Sequence, residues 1–398
     1  MSFFNEENVP GFIPKVMDGK ITEWTDGMDF LAIDLNHVKW RGNVLPLLRD
    51  HTPKLLVDPV THKAFFSDAK SKTNFQKIGY PDIEPELLYS EKRHRSEFIE
   101  LSVNEQLTAG ANAIIAPYLY TPDTDDTKFA VNLTLLSETL VYLEQNEIDL
   151  PVFAKICTHS QILTRQLVIN NIVSRYCDDY SDRLEGVILS ITDFDARKND
   201  LPHLLGLANL VHQLQARTKV LLSPMGGYGE VLLALGAAAF SSGIHESEGI
   251  TVKQLQEGSG GSEHIHQRIY IPEILNYINY EEAAKIGYVG TSTGCNIDFN
   301  DSEPSAETKK RHYLNNRVAT IATLRGKSRE EKINLMIGSI SSAQRLLTRY
   351  IRDHELLVRN DFHARWIQVL EQARTWSDPE TDNEELEALL AEIDKSDD

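Results

Sequence analysis

The stretch KVLLSPMGGYGEVLLALGAAAFSSGIHES, residues 219–247, reads as a short apolar strand, a glycine turn, a small-residue helix and a second short strand. Strand, crossover helix and strand form the unit of a parallel sheet. Working outward, short β-rich runs recur between longer amphipathic segments. There are eight: GFIPKVM, DFLAIDL, KLLVDPV, NAIIAPYLY, PVFAKIC, EGVILSI, KVLLSPM and AAAFSSGI. The segments SEFIELSVNEQLTAG, FAVNLTLLSETLVYLEQN, SQILTRQLVINNIVSRY and LPHLLGLANLVHQLQAR carry apolar residues at three- and four-residue spacing, as helices packed on a sheet require. Eight strands with outer helices predict an α/β fold of the (β/α)8 TIM-like barrel type with an appended C-terminal helical subdomain.

The expected organisation is a barrel over 1–250 and a glycine-rich loop with an irregular insertion over 251–304. A basic helical subdomain packed on the barrel follows over 305–376, then an acidic tail over 377–398, expected to be disordered or a short helix that folds on a partner. The segment from Phe66 to Arg95 reads as a polar insertion before the fourth strand, and GYVGTSTGCNIDFNDSEPS as irregular.

The 398 residues are 41% apolar, enough for one large core, and carry a net charge of −19. That sum argues against a nucleic-acid binder, but its distribution does not. Between Lys309 and Arg352 eleven basic residues face two acids, a balance of +9, whereas Asp378 to Asp398 holds ten acids and one lysine, a balance of −9. Three separated cysteines, Cys157, Cys177 and Cys295, suggest neither a disulfide framework nor a metal clip. With no signal-like leader or long apolar run, a cytoplasmic setting is expected, with no membrane partner and no cofactor.

In such barrels the active site lies at the carboxyl ends of the strands. That rule selects Asp34 and Asn36, Asp58, Tyr118 and Tyr120, Lys155, Thr158 and His159. It adds Thr192, Asp193 and Asp195, then Ser223, Gly226 and Gly227, and finally Ser241, Ser242, His245 and Glu246. Asp58, ending an apolar strand, reads either as an acid whose pKa is raised by desolvation toward acid/base use or as a carboxylate capping the next turn. Lys155 reads as a Schiff-base amine, a phosphate contact or the partner of a neighbouring acid. Asp193 and Asp195 suit acid/base work, a cation or a solvated turn. The Gly226–Gly227 turn allows backbone N–H groups to face a ligand.

The order of elements resembles the tRNA-guanine transglycosylase family, in LLVDPVTHKAF around Asp58, FIELSVNEQLTAGANAIIAPYLY, and VLLSPMGGYGEVLLALGAAAFSSGIHE. The resemblance implies a nucleobase pocket in which Asp58 contacts the base and acts as acid/base. Tyr118, Lys155, Asp193, Gly226 and Gly227, selected by their place at strand ends, are the expected substrate contacts. It places Ser241 where the family's nucleophilic aspartate stands. Of the family's zinc ligands, only Cys295 and the later His312 have counterparts, so no metal is expected. The basic segment falls where the family contacts tRNA, implying nucleic-acid binding through Lys309, Lys310, Arg311, Arg317, Arg325 and Lys327. Members of the wider family that act on DNA imply a setting in nucleic-acid modification or phage defence, with or without glycosyltransferase chemistry. Two other functions stay open: a phosphate-binding barrel lyase or aldolase using Lys155, and a non-catalytic scaffold whose acidic tail docks a basic protein partner.

Overall fold

A computed structural model describes residues 2–16, 28–40, 54–80, 84–243, 249–257, 268–292, 295–298 and 304–377. The expected acidic tail from Asp378 onward, most of the glycine-rich loop, His245 and Glu246 lie outside these residues.

Eight parallel strands form the barrel: β1 (Gly11–Val16), β2 (Leu31–Asp34), β3 (Leu55–Asp58), β4 (Ile114–Ile115), β5 (Val152–His159), β6 (Gly186–Thr192), β7 (Lys219–Leu222) and β8 (Ala239–Gly243). The hydrogen-bonded order runs β3-β2-β1-β8-β7-β6-β5-β4. A parallel bridge from Leu56 to Ala113 and the Asn112 N–H bond to the Leu55 carbonyl (2.9 Å) bring the two ends together. The strands are apolar on both faces because each is covered twice, by the barrel interior and by helices. Ile13, Ala32, Leu56, Ile115, Phe153, Ile188, Leu221 and Ala239 fill the interior, while their sequence neighbours, such as Ile33, Val57 and Phe240, join the outer core.

The amino-terminal segment closes the lower end. Phe3 packs on Phe30 (centroids 5.1 Å) and on Phe153 (5.5 Å), with Phe4 5.9 Å from Phe153. Glu185 secures this segment, accepting from the Phe4 N–H (3.0 Å), the Ser2 hydroxyl (2.7 Å) and Lys219 Nζ (2.7 Å). Aromatic rings thus fill that end of the barrel among the described residues.

The stretch expected to be a polar insertion contains three short helices, Ser67–Lys70, Thr73–Gln76 and Pro85–Ser90. The next helix, Lys92–Thr108, starts earlier than the sequence suggests. Its basic beginning is tied down because Arg95 pairs with Glu138 (2.8 Å) on the helix Thr127–Gln145 and donates to the Leu88 carbonyl (3.1 Å). The segment read as irregular also contains regular structure, an antiparallel pair of β11 (Val289–Ser292) and β12 (Cys295–Asp298). Before it lies the hairpin of β9 (Arg268–Ile271) and β10 (Asn276–Asn279).

Three helices follow, Ala306–Leu324, Arg329–His354 and Asp361–Arg374. Ser305 caps the first through the Thr308 N–H, and Ser328 with Glu331 forms a capping box on the second. They pack on the barrel rather than standing apart. Arg317 and Glu230, each 1% exposed, pair at 2.7 Å, joining the first of these helices to the barrel helix Tyr228–Ala234. The Arg317 guanidinium lies 4.3 Å from the Tyr270 ring and 5.0 Å from Tyr313. Trp366 donates its indole N–H to the Ala196 carbonyl (3.0 Å), fixing the last helix to the loop after β6.

Because Phe30 meets both Phe3 and Phe4 at 5.1 Å in the lower plug, Phe30→Ala is expected to destabilise the barrel by about 3–5 kcal/mol. Chemical denaturation should show this as a lower midpoint at nearly unchanged slope.

Candidate functional site

The carboxyl ends of the strands carry two groups of functional side chains. The first occupies the barrel throat. Parallel register sets Asp34 of β2 directly beside Asp58 of β3. Each aspartate is met by a lysine from another strand: Lys15 Nζ of β1 lies 2.7 Å from Asp34 Oδ1, and Lys155 Nζ of β5 bonds Asp58 Oδ2. Asp58 Oδ1 also accepts from the Tyr118 hydroxyl (2.8 Å) and the Val60 N–H (2.9 Å). Lys155 Nζ stands 4.6 Å from the Tyr118 ring centroid, so the ring and the carboxylate share its charge.

The turn after β3 adds to this group. Val60 adopts φ 50°, a left-handed conformation that is strained for a β-branched residue. Thr61 next donates its hydroxyl to the Tyr118 carbonyl (2.7 Å) and accepts the Tyr118 N–H (2.8 Å). His62 stacks on the Tyr118 ring at 5.1 Å, is 4% exposed, and has no hydrogen-bond partner for either ring nitrogen among the described residues.

These surroundings reverse the expectation for Asp58. Burial pushes its pKa up, but the Lys155 and Lys15 charges and the Lys155 hydrogen bond outweigh burial and hold the carboxyl far below its ordinary value. At neutral pH it is a fixed anion rather than an acid/base poised to exchange protons. Burial together with the Lys63 and Lys155 charges keeps His62 neutral. Tyr118 is pushed up by burial and by Asp58, so its hydroxyl stays protonated and donates. Lys155 is committed to Asp58, and the gap among Lys15, Asp58, Lys155 and Ser223 is only about 10 Å³. That is room for a single water, not for a substrate carbonyl.

Ser241, placed by the resemblance at the nucleophile position, is 1% exposed on β8, with no hydrogen-bond partner for its hydroxyl among the described residues. With no base in reach among those residues, it lacks the activation a serine nucleophile needs.

The second group lines a cleft of about 470 Å³ over the ends of β6, β7 and β8. It brings together Asp193, Gly226 and Gly227, three of the five expected substrate contacts, and adds Arg197, Tyr277 and Trp366 from distant segments. Asp193 shapes one wall. At φ 53° it is left-handed, its N–H donates to the Ile250 carbonyl (2.8 Å), and its Oδ2 faces the Val252 N–H (3.3 Å). His159 Nδ1 accepts the Gln161 N–H (3.1 Å), so its proton is on Nε2, 3.3 Å from Asp193 Oδ2. His159 is thereby a clamp between the ends of β5 and β6. Asp195 lies 3.4 Å from Arg197 Nε and 2.9 Å from Lys198 Nζ. Burial opposes the Asp195 charge, but these two cations keep its pKa low.

Gly227 is small for a reason: a Cβ there would lie 3.2 Å from Trp366 and 3.5 Å from Arg317. No group of three or more His, Cys, Asp or Glu among the described residues has the geometry to hold a metal ion. Burial lowers the pKa of His312 to about 4, and its Nε2 lies 3.2 Å from the Tyr288 hydroxyl.

The expected nucleic-acid surface needs correction. Lys309 and Arg317 are 2% and 1% exposed, so neither faces a phosphate backbone. Arg325 spans Asp29 (2.6 Å) and the Pro10 carbonyl (3.1 Å), fastening a helix end to the barrel. Lys310 and Arg311 are half-buried and Lys327 is exposed. Arg345 and Arg349, one helical turn apart on the helix Arg329–His354, are also exposed.

Sequence reasoning passed over Lys15, His62 and Lys63. A lone lysine in GFIPKV, two residues from Ile13 and therefore on its face of the strand, was the available signal for Lys15. Tyr277 and Trp366 carried no comparable signal, because their place in the cleft depends on how distant segments pack.

The depressed Asp58 pKa fixes the sign of an acid effect. A carboxyl whose folded pKa lies below its ordinary 3.8 contributes its full stability above that value and loses it as pH falls further. Asp58→Asn should therefore destabilise the protein at pH 7, by roughly 3–5 kcal/mol because Lys155 is left buried and unpaired. The difference from wild type should shrink steadily below about pH 4, as denaturant titrations at several pH values will show.

No protein-family model and no curated protein matches the sequence. Among solved structures, the endo-beta1,6-glucanase BT3312 is similar at a TM-score of 0.39 and 11% identity, over 60% of this chain and 67% of that one.

Proposed function

We propose that the chain is a ligand-binding (β/α)8 barrel whose cleft takes a planar nitrogen heterocycle of the nucleobase class, free or carried on a nucleic acid. The observation that carries this reading is the joint lining of one 470 Å³ cleft by Asp193, Gly226, Gly227, Arg197, Tyr277 and Trp366. That volume falls in the roughly 300–1,000 Å³ range of small-molecule sites. Carboxylate acceptors, guanidinium donors and aromatic side chains in one concavity complement the mixed donor–acceptor edge and flat faces of a base. The proposal is recognition without base exchange, since Ser241 has no activating base among the described residues and Asp58 is held by Lys155. A setting in nucleic-acid modification or defence, implied by the transglycosylase resemblance, belongs to the same proposal.

Calorimetric titration with the common nucleobases, and with hexoses as comparators, tests this directly. At least one base should bind saturably and the hexoses should not. Thr251 is an exposed residue on the cleft rim whose hydroxyl accepts the Gln254 N–H at 3.1 Å. Thr251→Trp should fill the cleft and weaken base binding by at least about tenfold, or 1.4 kcal/mol. Loss of the cap, about 1 kcal/mol, should lower Tm by only about 2–4 °C. Hexose binding with no base binding, or base binding unaffected by Thr251→Trp, contradicts the reading.

If the base arrives on a polynucleotide, Arg345 and Arg349 are the exposed cations best placed on one helix face to meet phosphates. Arg345→Glu with Arg349→Glu should then reduce the slope of log affinity against log salt by about 0.9 for each duplex phosphate that is no longer neutralised. An unchanged slope assigns those arginines to a solvated face.

A further inference from the structure

The helix Arg329–His354 keeps one long face exposed. Ile333, Met336, Ile340, Ala343 and Leu347 are its buried side. On the other side Leu335, Ser339, Ser342, Arg345 and Arg349 follow one another at three- and four-residue spacing and are all exposed, Leu335 at 43%. The contacts of the two arginines leave their charge available. Arg345 donates to the Ser342 hydroxyl (3.1 Å), and the Arg349 guanidinium stands 5.8 Å from the Tyr350 ring centroid. Arg352, Arg359 and Arg374, by contrast, meet the carboxylates of Asp353 (2.7 Å), Asp361 (3.0 Å) and Glu330 (3.4 Å).

The acidic end of the chain starts beside this helix. Trp376, 3% exposed, packs 5.4 Å from His212, and its carbonyl accepts from Arg329 Nη1 (3.2 Å) in the first helical turn. Arg345 and Arg349 lie 16 and 20 residues beyond Arg329 in the sequence, which a helix converts to about 24 and 30 Å. Glu384, Glu385 and Glu387 follow Trp376 by 8, 9 and 11 residues, and extended chain of those lengths reaches roughly 26–40 Å. We propose that the acidic segment from Asp378 to Asp398 docks on the exposed face of this helix in its own chain, with the Glu384–Glu387 carboxylates meeting Arg345 and Arg349.

Charge and tether together favour this occupant. The segment carries ten acids and one lysine, so it complements a face whose two arginines lack carboxylates of their own among the described residues. Individual exposed ion pairs are weak. A short tether, however, holds the segment at an effective concentration on the order of millimolar, which a separate acidic partner would have to match. The docking does not rest on base recognition in the cleft. Its bearing on that reading is that the tail would compete with a polynucleotide for Arg345 and Arg349, and would do so less as salt screens the pairs.

The test is zero-length carbodiimide cross-linking of the full chain carrying Arg345→Lys and Arg349→Lys, which keeps both charges at exposed positions and supplies reactive amines. Peptide mass mapping of the monomer should join positions 345 and 349 to the acidic segment at least about fivefold more than Lys92, an exposed lysine of the helix Lys92–Thr108 that serves as reference. That excess should fall several-fold between about 20 mM and 500 mM salt, where the Debye length shrinks from roughly 20 to 4 Å. In a second measurement, Arg345→Glu with Arg349→Glu in the full chain should speed cleavage after Glu384, Glu385 and Glu387 by a glutamate-specific protease several-fold at low salt. Cross-links to the segment no more frequent than those of Lys92 overturn the proposal and leave the face to phosphates. Cross-links found only between chains, rising with protein concentration, overturn it in favour of a second copy, and an unchanged cleavage rate in the reversed-charge variant also contradicts it.

Discussion

Parallel register places Asp34 and Asp58 side by side on strands β2 and β3, and neighbouring strands are only about 4.8 Å apart. Two buried carboxylates at that spacing repel each other and lose hydration, so the barrel can close only if cations enter the same layer. Lys15 and Lys155 reach in from β1 and β5, on either side of the pair. The Tyr118 hydroxyl and the Val60 N–H occupy the remaining acceptor positions on Asp58 Oδ1. The left-handed Val60, the turn that carries His62 and Lys63, and the filled centre of the mouth all attach to that arrangement. It is a structural solution first, in which both carboxylates and both lysines are engaged with one another.

A second constraint sets the other side of the mouth. The Arg317–Glu230 pair is buried, and such a pair contributes little net stability relative to apolar packing. Breaking it would strand a charge, so its geometry is enforced. Between two tyrosine rings, Arg317 keeps the helix Ala306–Leu324 against the barrel while Trp366 brings the last helix onto the loop after β6. Trp366 and Arg317 of these helices come so close to the β7 turn that a Cβ on Gly227 would lie 3.2 Å and 3.5 Å from them, and with Gly226 and Gly227 they line the cleft. The C-terminal helices therefore build a wall of the candidate site as well as covering the barrel.

Much of this architecture was legible in the sequence. The strands are short apolar runs bounded by turn residues, a pattern that survives even where, as in β4, the strand itself is only Ile114–Ile115. Position at strand ends selected Asp58, Lys155, Tyr118, Asp193 and the Gly226–Gly227 turn. What it could not supply was the sign of their electrostatics. Asp58 looked like a desolvated acid because Lys155, 97 residues away in the chain, is invisible beside it. Counting charges along residues 309–352 similarly suggested a basic surface, although Lys309 and Arg317 point inward. Charge counts read composition, whereas exposure depends on which helix face the barrel covers.

The chemistry of the barrel mouth depends most on the ionisation of the throat. Carboxyl carbons of aspartate report protonation directly, so a ¹³C-detected NMR titration of the aspartates, with Asp34→Asn and Asp58→Asn used for assignment, is the decisive measurement. The Asp58 resonance should stay at its ionised position from pH 8 down to pH 4, with Asp34, also held low by Lys15 against the effect of burial, behaving likewise. An Asp58 resonance that titrates between pH 5 and pH 7 would mean that burial outweighs Lys155, and the throat would be an acid/base site instead of a neutralised scaffold.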